Sequence, residues 1–336
     1  MKSRRLLSTS IAAVAVLSLG LAGCSSPTSS TSASPSSTDK TFTIGSAVIV
    51  SHPALQAAQD GFEAVLKENN VNYTMITKNA QNDTSNAATI ASDFHSNPNI
   101  DLILAISTPI AQAMASAEKD RPIIFTAVTD PVTDGLVPSW DQAGSNITGT
   151  SDQNPAAKPV SLVQEVMPNV KTIGVLYSSS ESNSLAQLDM YKTEAASLGI
   201  TLKPQAVTST AEITAGLAAL AGVDAILIPT DNTVVNSIAT VISYGQENKI
   251  PIFCADTSTV TLGTVATRGL NYTDLGRAAG EMAVKILVDG TPISQIPPEA
   301  PTSTQLYVNP GAAESFGLTL PDDFVSKADF VETTTQ

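Results

Sequence analysis

Two histidines, His52 and His95, and two cysteines, Cys24 and Cys254, are the most reactive side chains in this chain of 336 residues. Enzymatic chemistry ordinarily recruits a nucleophile, a general base or a metal. The histidines stand 43 residues apart, with no carboxylate at metal-ligand spacing. His95 falls at the polar end of a helical stretch, where water is its expected partner. The chain contains no G-x-S-x-G, no H-E-x-x-H, no P-loop and no G-x-G-x-x-G. The expectation is therefore no enzyme, no cofactor and no metal.

A different set of polar residues is patterned. The segments "LILAISTPIA" (102–111) and "ILIPTDNTVV" (226–235) share one rhythm, an apolar run broken by polar residues. Similar breaks occur at His52, at Thr129 and Asp130, at Asn183 and Ser184, and at Asp256 and Thr257. Such residues cap helices. At the carboxyl ends of parallel strands they also border a ligand crevice, where exposed helix N-termini offer free N–H groups. A cap needs only one oxygen, so the carboxylates of Asp130, Asp231 and Asp256 suggest charge complementarity to an ammonium group. Ser107, Thr108 and Ser184 are suited to a carboxylate. A free amino acid needs both.

The elements that must hold these residues follow from periodicity. Strands are predicted at 42–50, 73–77, 101–106 and 122–128, with helices from Leu55, over 84–96 behind a Thr84 cap, and over 108–118. The pattern restarts with strands at 171–177, 200–207, 224–229 and 250–255. Helices fall at 184–198, 211–221 and 232–248 between them. Ile44 to Asp101 is 57 residues and Ile173 to Asp224 is 51, so two similar βα halves are read, offset by about 125 residues. A strand at 264–272, a helix at 273–290 ended by Gly290, a Pro-rich crossing, a strand at 304–309 and a short helix at 310–316 complete the chain. Alternation of this kind predicts an α/β fold with parallel sheets. Tyr177 and Phe125 are candidates to face an aromatic ring, but each follows strand alternation equally well as a core residue, which is the favoured reading.

The ends and the composition set the location. Lys2, Arg4 and Arg5 precede an apolar stretch, Ile11–Leu21, that closes on "LAGC", the layout of a signal peptide over 1–23. The residues after Cys24 up to Lys40 are almost all Ser, Thr and Pro and read as a flexible tether. The remaining 296 residues suit two lobes. With 17 Lys and Arg against 31 Asp and Glu, the charge argues against nucleic acid and against direct binding to an anionic membrane surface. Cys254 is expected to form no disulfide.

"LAGC" resembles the lipobox of bacterial lipoproteins, which implies cleavage before Cys24 and a lipid on that residue. The blocks "GSAVIVSHPALQAAQDGF", "DLILAISTPIAQA", "PIIFTAVTDPVTDGLV", "ITGTSD", "IGVLYSSSESNS", "ILIPTDNTVVNS", "IPIFCADTSTV" and "GLNYTDLGRAAGEMAVKIL" resemble, in order over 42 to about 330, the substrate-binding lipoproteins of bacterial ABC importers. The group they look like is the one associated with tryptophan and other aromatic amino acids. The resemblance implies a type I periplasmic-binding-protein fold, two Rossmann-like lobes joined by three crossovers, with a solute enclosed by hinge closure. It places lobe one at 41–150 plus 256–290 and lobe two at 151–255 plus 291–336. It implies a monomer anchored to the cell membrane by its lipid, with ABC permease subunits as partners and an amino acid as solute. A sensory receptor, or a carrier of a sugar or nucleoside, would use the same fold. The ligand-facing residues it implies are His52, Ser107, Thr108, Thr129, Asp130, Asn183, Ser184, Asp231, Asp256 and Thr257. The chain has "SSSES" where relatives carry a Pro/Gly turn before Asn-Ser, a departure on that side of the pocket.

Overall fold

A computed structural model describes residues 40–153 and 157–332. The predicted signal peptide, Cys24 and the tether up to residue 39 lie outside the described residues. Among the described residues no helix is long and apolar enough to cross a membrane.

The first lobe alternates β1 (Phe42–Val48), α1 (Pro53–Glu68), β2 (Tyr73–Asn79), α2 (Thr84–Ser96), β3 (Leu102–Ile106), α3 (Thr108–Ala117), β4 (Ile123–Val128) and β5 (Ile147–Ser151). The second contains α4 (Pro159–Val166), β6 (Thr172–Ser178), α5 (Ser182–Leu198), β7 (Thr201–Val207), α6 (Ile213–Ala219), β8 (Ala225–Ile228), α7 (Asn232–Val235), α8 (Ile238–Asn248) and β9 (Ile252–Cys254). Then come α9 (Ser258–Thr261), β10 (Ala266–Gly269), α10 (Tyr272–Leu287), β11 (Gln305–Val308), α11 (Pro310–Ser315), α12 (Asp322–Val325) and β12 (Phe330–Val331).

Both main sheets are parallel. Their strand orders are β2-β1-β3-β4-β5 and β7-β6-β8-β9, so the repeat read in the sequence is a repeat of topology. Central strands such as β3, β4 and β8 are buried at every residue, because helices cover both faces. The outer strand β7 is largely exposed and tolerates Pro204. A third sheet, β10-β11-β12, lies beside β9.

Two apolar cores define the lobes. One gathers β1, β3 and β4 with α1, α2, α3 and α10; the other gathers β6, β8 and β9 with α4 to α8. The stretch 256–290 divides between them. Val265 and Ala266 lie in the second core, whereas Leu270, Tyr272, Leu275 and Ala279 lie in the first. The chain thus crosses between lobes after β5, between β10 and α10, and again before β11.

Helix α10 docks on α1 through glycines. A Cβ on Gly276 would sit 1.8 Å from the Ala58 carbonyl oxygen, and one on Gly61 would sit 2.2 Å from that of Thr273. Only a bare backbone allows this approach. The seam fixes the start of α1, at His52, relative to the start of α10, at Tyr272.

Several expectations change in detail. Asp83, not Thr84, caps α2, accepting from the backbone N–H groups of Ser85 and Asn86. A carboxylate one residue earlier reaches both orphan donors. The single helix expected over 232–248 is two, α7 and α8, parted at Asn236 and Ser237. Phe125 is buried in the first core and Tyr177 packs at the edge of the second.

Candidate functional site

The carboxyl ends of first-lobe strands are built on unusual backbone. Ser107, between β3 and α3, has φ +88°, and Ala127, in β4, has φ +55°. Neither is glycine, and such conformations cost about 1–3 kcal/mol each and cluster at functional sites. The pairing of β4 with β5 slips between Phe125 and Val128, where Gly149 lets the strands approach within what would be 1.9 Å of a Cβ. This bulge re-aims Thr129. Thr129 Oγ1 donates to Asp152 Oδ1 (2.8 Å), and Tyr272 Oη donates to Asp152 Oδ2 (3.0 Å). Burial raises the Asp152 carboxyl above its ordinary range, with the neighbouring Asp256 charge adding to the shift. The phenol of Tyr272 is raised by burial and then by Asp152.

The second-lobe corner has regular backbone and dense hydrogen bonding. Asp231 caps α7: Oδ1 accepts from the Val234 N–H (2.8 Å), and Oδ2 from the Ser184 hydroxyl (2.6 Å) and the Ser178 N–H. Glu181, itself buried, accepts from the N–H and side chain of both Asn232 and Thr233, and from Asn183 Nδ2. Burial and the adjacent Glu181 charge push the Asp231 carboxyl up to about 7. Gln187 clamps Thr230, accepting from its N–H (3.0 Å) and donating to its hydroxyl.

The two corners meet. Asn82 Nδ2 donates to Thr233 Oγ1 (3.2 Å), Gln112 Nε2 to Ser182 Oγ (3.1 Å), and the hydroxyls of Thr129 and Thr230 lie 3.5 Å apart. The lobes are closed. Between them lies a cleft of about 20 Å³, bordered by His52, Thr108, Thr129, Asp152, Asn183, Thr230, Asp231, Asp256 and Tyr272 among others. Four of these residues, Thr129, Asp152, Thr230 and Tyr272, also border an adjoining pocket of about 430 Å³. That pocket is lined by Pro159, Met190, Tyr191, Ala255 and Leu270, and by charged and polar residues that include Gln187, Glu194, Lys158 and Arg268.

Several cleft groups have no internal partner. His52 Nδ1 stands 3.6 Å from Asp256 Oδ2, beyond hydrogen-bonding distance, and Asn183 Oδ1 is buried without a donor. Ser107 Oγ is also buried and unpartnered. Among the described residues there is no cluster of three His, Cys, Asp or Glu able to hold a metal. Cys254 is buried and unpaired, its thiol pushed up to about 12 by burial.

Of the residues singled out in the sequence, His52, Thr108, Thr129, Asn183, Asp231 and Asp256 line the cleft. Ser107 and Ser184 stand behind it, Ser184 donating to Asp231. Asp130 accepts from the Thr133 N–H in a turn, and Thr257 donates to the Leu270 carbonyl; neither lines the cleft. Asp152, Tyr272 and Glu181 escaped the sequence reading. Asp152 was findable, because "ITGTSD" ends in an acid after a short run, as the other corners do. Glu181 lies in the divergent "SSSES" stretch, and nothing in the sequence separates it from a solvated glutamate.

A closed, two-lobed α/β protein with a polar cleft at the strand ends is a solute-binding protein of the type I periplasmic-binding-protein fold. The family model of ABC transporter substrate binding proteins matches residues 43–332, and the chain belongs to that family. These proteins are extracytoplasmic binders of small solutes that work with ABC permeases, a class distinct from enzymes. A tyrosine-binding protein of Clostridioides difficile (strain R20291) is 38% identical over 316 residues, 92% of this chain and 91% of that one. The structure of an ABC domain in complex with L-Trp from Streptococcus pneumonia is 37% identical, covers 87% of this chain and 100% of its own, and superposes with a TM-score of 0.82. A ligand-free, open substrate binding protein with adhesive properties from Clostridium difficile is 39% identical over the same shares, yet its TM-score is 0.65. Sequence identity does not order these scores; the lower one belongs to the structure described as open and ligand-free.

Proposed function

We propose that this protein captures an aromatic amino acid for an ABC importer, held at the outer face of the membrane by a lipid on Cys24. One observation carries the ligand class: an acid-bordered cleft too small for any amino acid adjoins a pocket of about 430 Å³ and shares four lining residues with it. That size lies within the roughly 300–1,000 Å³ typical of small-molecule sites. An α-ammonium group suits Asp152 and Asp256, and an aromatic ring suits the space beside Tyr191, Met190 and Tyr272. The similarity to a tyrosine-binding protein and to an L-Trp complex supports the same class. His52 and the N-termini of α1 and α3 supply donors for the carboxylate.

Binding draws the lobes together because the ligand touches both only when they are closed. The test is calorimetric titration and thermal shift with L-Tyr, L-Trp, L-Phe, L-Leu and myo-inositol. Saturable one-to-one binding of the aromatic amino acids is expected. A response confined to the sugar alcohol or to L-Leu overturns the ligand class. The anchor is tested separately: Cys24→Ser should move the protein from the membrane fraction to the soluble fraction.

A further inference from the structure

The amide of Asn183 is oriented by its surroundings. Its Nδ2 donates to the Thr230 carbonyl oxygen (2.8 Å) and to Glu181 Oε2 (3.1 Å). Both partners only accept, so the reversed amide would set Oδ1 against two oxygens. The other face of the amide, Oδ1, is buried and unpartnered, on a residue 2% exposed that borders the cleft. Glu181 cannot turn away, because Asn232 and Thr233 hold both its oxygens. Asn183, Glu181 and Thr230 all belong to the second lobe, so this arrangement does not depend on closure.

We infer that Glu181 is a positioning residue that locks Asn183 with its carbonyl oxygen toward the cleft, making this side of the site a reader of N–H donors that selects a ligand's ammonium group. An asparagine left free to rotate would accept either a donor or an acceptor. One held by a buried carboxylate presents only an acceptor. Asp152 and Asp256 border the same cleft and present acceptors too, so the cleft rejects a ligand that lacks a donor there. The inference rests on the amino-acid reading given above, and adds the residue that enforces it.

Two measurements test it. The first needs no ligand. In the purified full-length protein, the Asn183 side-chain amide protons should be protected from exchange by NMR, and Glu181→Gln should remove that protection. Rapid exchange in the unaltered protein overturns the inference. The second compares L-Trp with indole-3-propionate, which keeps the ring and carboxylate but lacks the amine. The unaltered protein should prefer L-Trp by about 100-fold or more, since sites built around a donor reject analogues without it. Asn183→Leu should cut L-Trp affinity by at least about tenfold and leave indole-3-propionate within about threefold, collapsing the preference. Glu181→Gln should lower the same ratio. Equal losses for both ligands in Asn183→Leu would show a merely structural role and overturn the inference, even where Glu181→Gln does not fold. Should no aromatic amino acid bind, the ligand class fails while the exchange measurement still decides the amide orientation.

Discussion

The strand-to-helix corners at Ser107 and Asp231 occupy equivalent places in two sheets of the same order, yet they handle polarity in opposite ways. The first-lobe corner keeps a strained backbone, at Ser107 and nearby Ala127, and leaves the Ser107 hydroxyl unpartnered. The second-lobe corner is relaxed and fills the oxygens of its two acids: Asp231 takes three internal donors and Glu181 five. A repeated scaffold therefore does not repeat its chemistry. The first corner leaves a hydroxyl without a partner on a strained backbone, and the second uses the oxygens of two acids to organise its own loops.

That contrast gives Asp231 a structural task beside its place in the cleft. Its charge suggested a direct partner for a cation, but three backbone and hydroxyl donors already converge on it. Asp231→Ala should therefore act first on stability. Leaving buried donors unsatisfied costs about 1–3 kcal/mol each, so a loss of about 3 kcal/mol or more is expected in urea denaturation. A variant as stable as the parent but weak in binding would restore the direct role.

The next effect is set by pH. The Asp231 carboxyl lies near 3.8 when free and about 7 in the folded lobe. Between those values the folded state binds the extra proton, so this group favours folding at low pH and loses that contribution as pH rises toward 7. Asp152 and Asp134 are raised as well and act in the same direction. Each such proton adds a slope of up to about 1.4 kcal/mol per pH unit. Unfolding free energy measured from pH 4.5 to 7 should fall for the parent and flatten in Asp231→Asn. A slope that persists in Asp231→Asn would assign it to the other acids. Glu118 opposes this trend only at the acid end: its carboxyl is lowered to about 2, with backbone N–H groups and Arg121 overcoming its burial. That contribution is fully present above its ordinary range near 4.5 and is lost below it.

The smallest effect concerns Ser107. Because its hydroxyl has no partner, Ser107→Ala should leave stability within about 0.5 kcal/mol. Ser107→Gly, which removes the steric cost of φ +88°, should gain about 1 kcal/mol. A large loss in either variant would mean that the hydroxyl is already engaged, and the contrast between the corners would narrow.

The scaffold was legible because strongly apolar runs such as "LILAI" and "AILI" announce buried parallel strands, and the restart at Lys171 announces the second lobe. Residues 147–151 were harder. "ITGTS" reads as polar, yet β5 is fully buried, because Thr148, Thr150 and Ser151 each donate a side-chain hydrogen bond within the core. No one-dimensional pattern encodes those partners. The site divided along the same line. Acids ending obvious strands were visible, whereas Tyr272 and Glu181 depend on which loops the topology brings together.

Asp152 follows the first crossing between lobes, Tyr272 follows the second, and Thr257 ties Asp256 to that second crossing through the Leu270 carbonyl. Residues beside a pivot travel least when a hinge swings. On the proposed hinge closure, Asp152 and Asp256 are therefore expected to keep their spacing when the lobes part, while Asn183 and Thr108, farther along each lobe, separate with them. That proposal assigns capture and retention to different residues. Substitutions at Asp152 and Asp256 should register chiefly in the association rate and its salt dependence, and those at the distal rim in how long the solute stays.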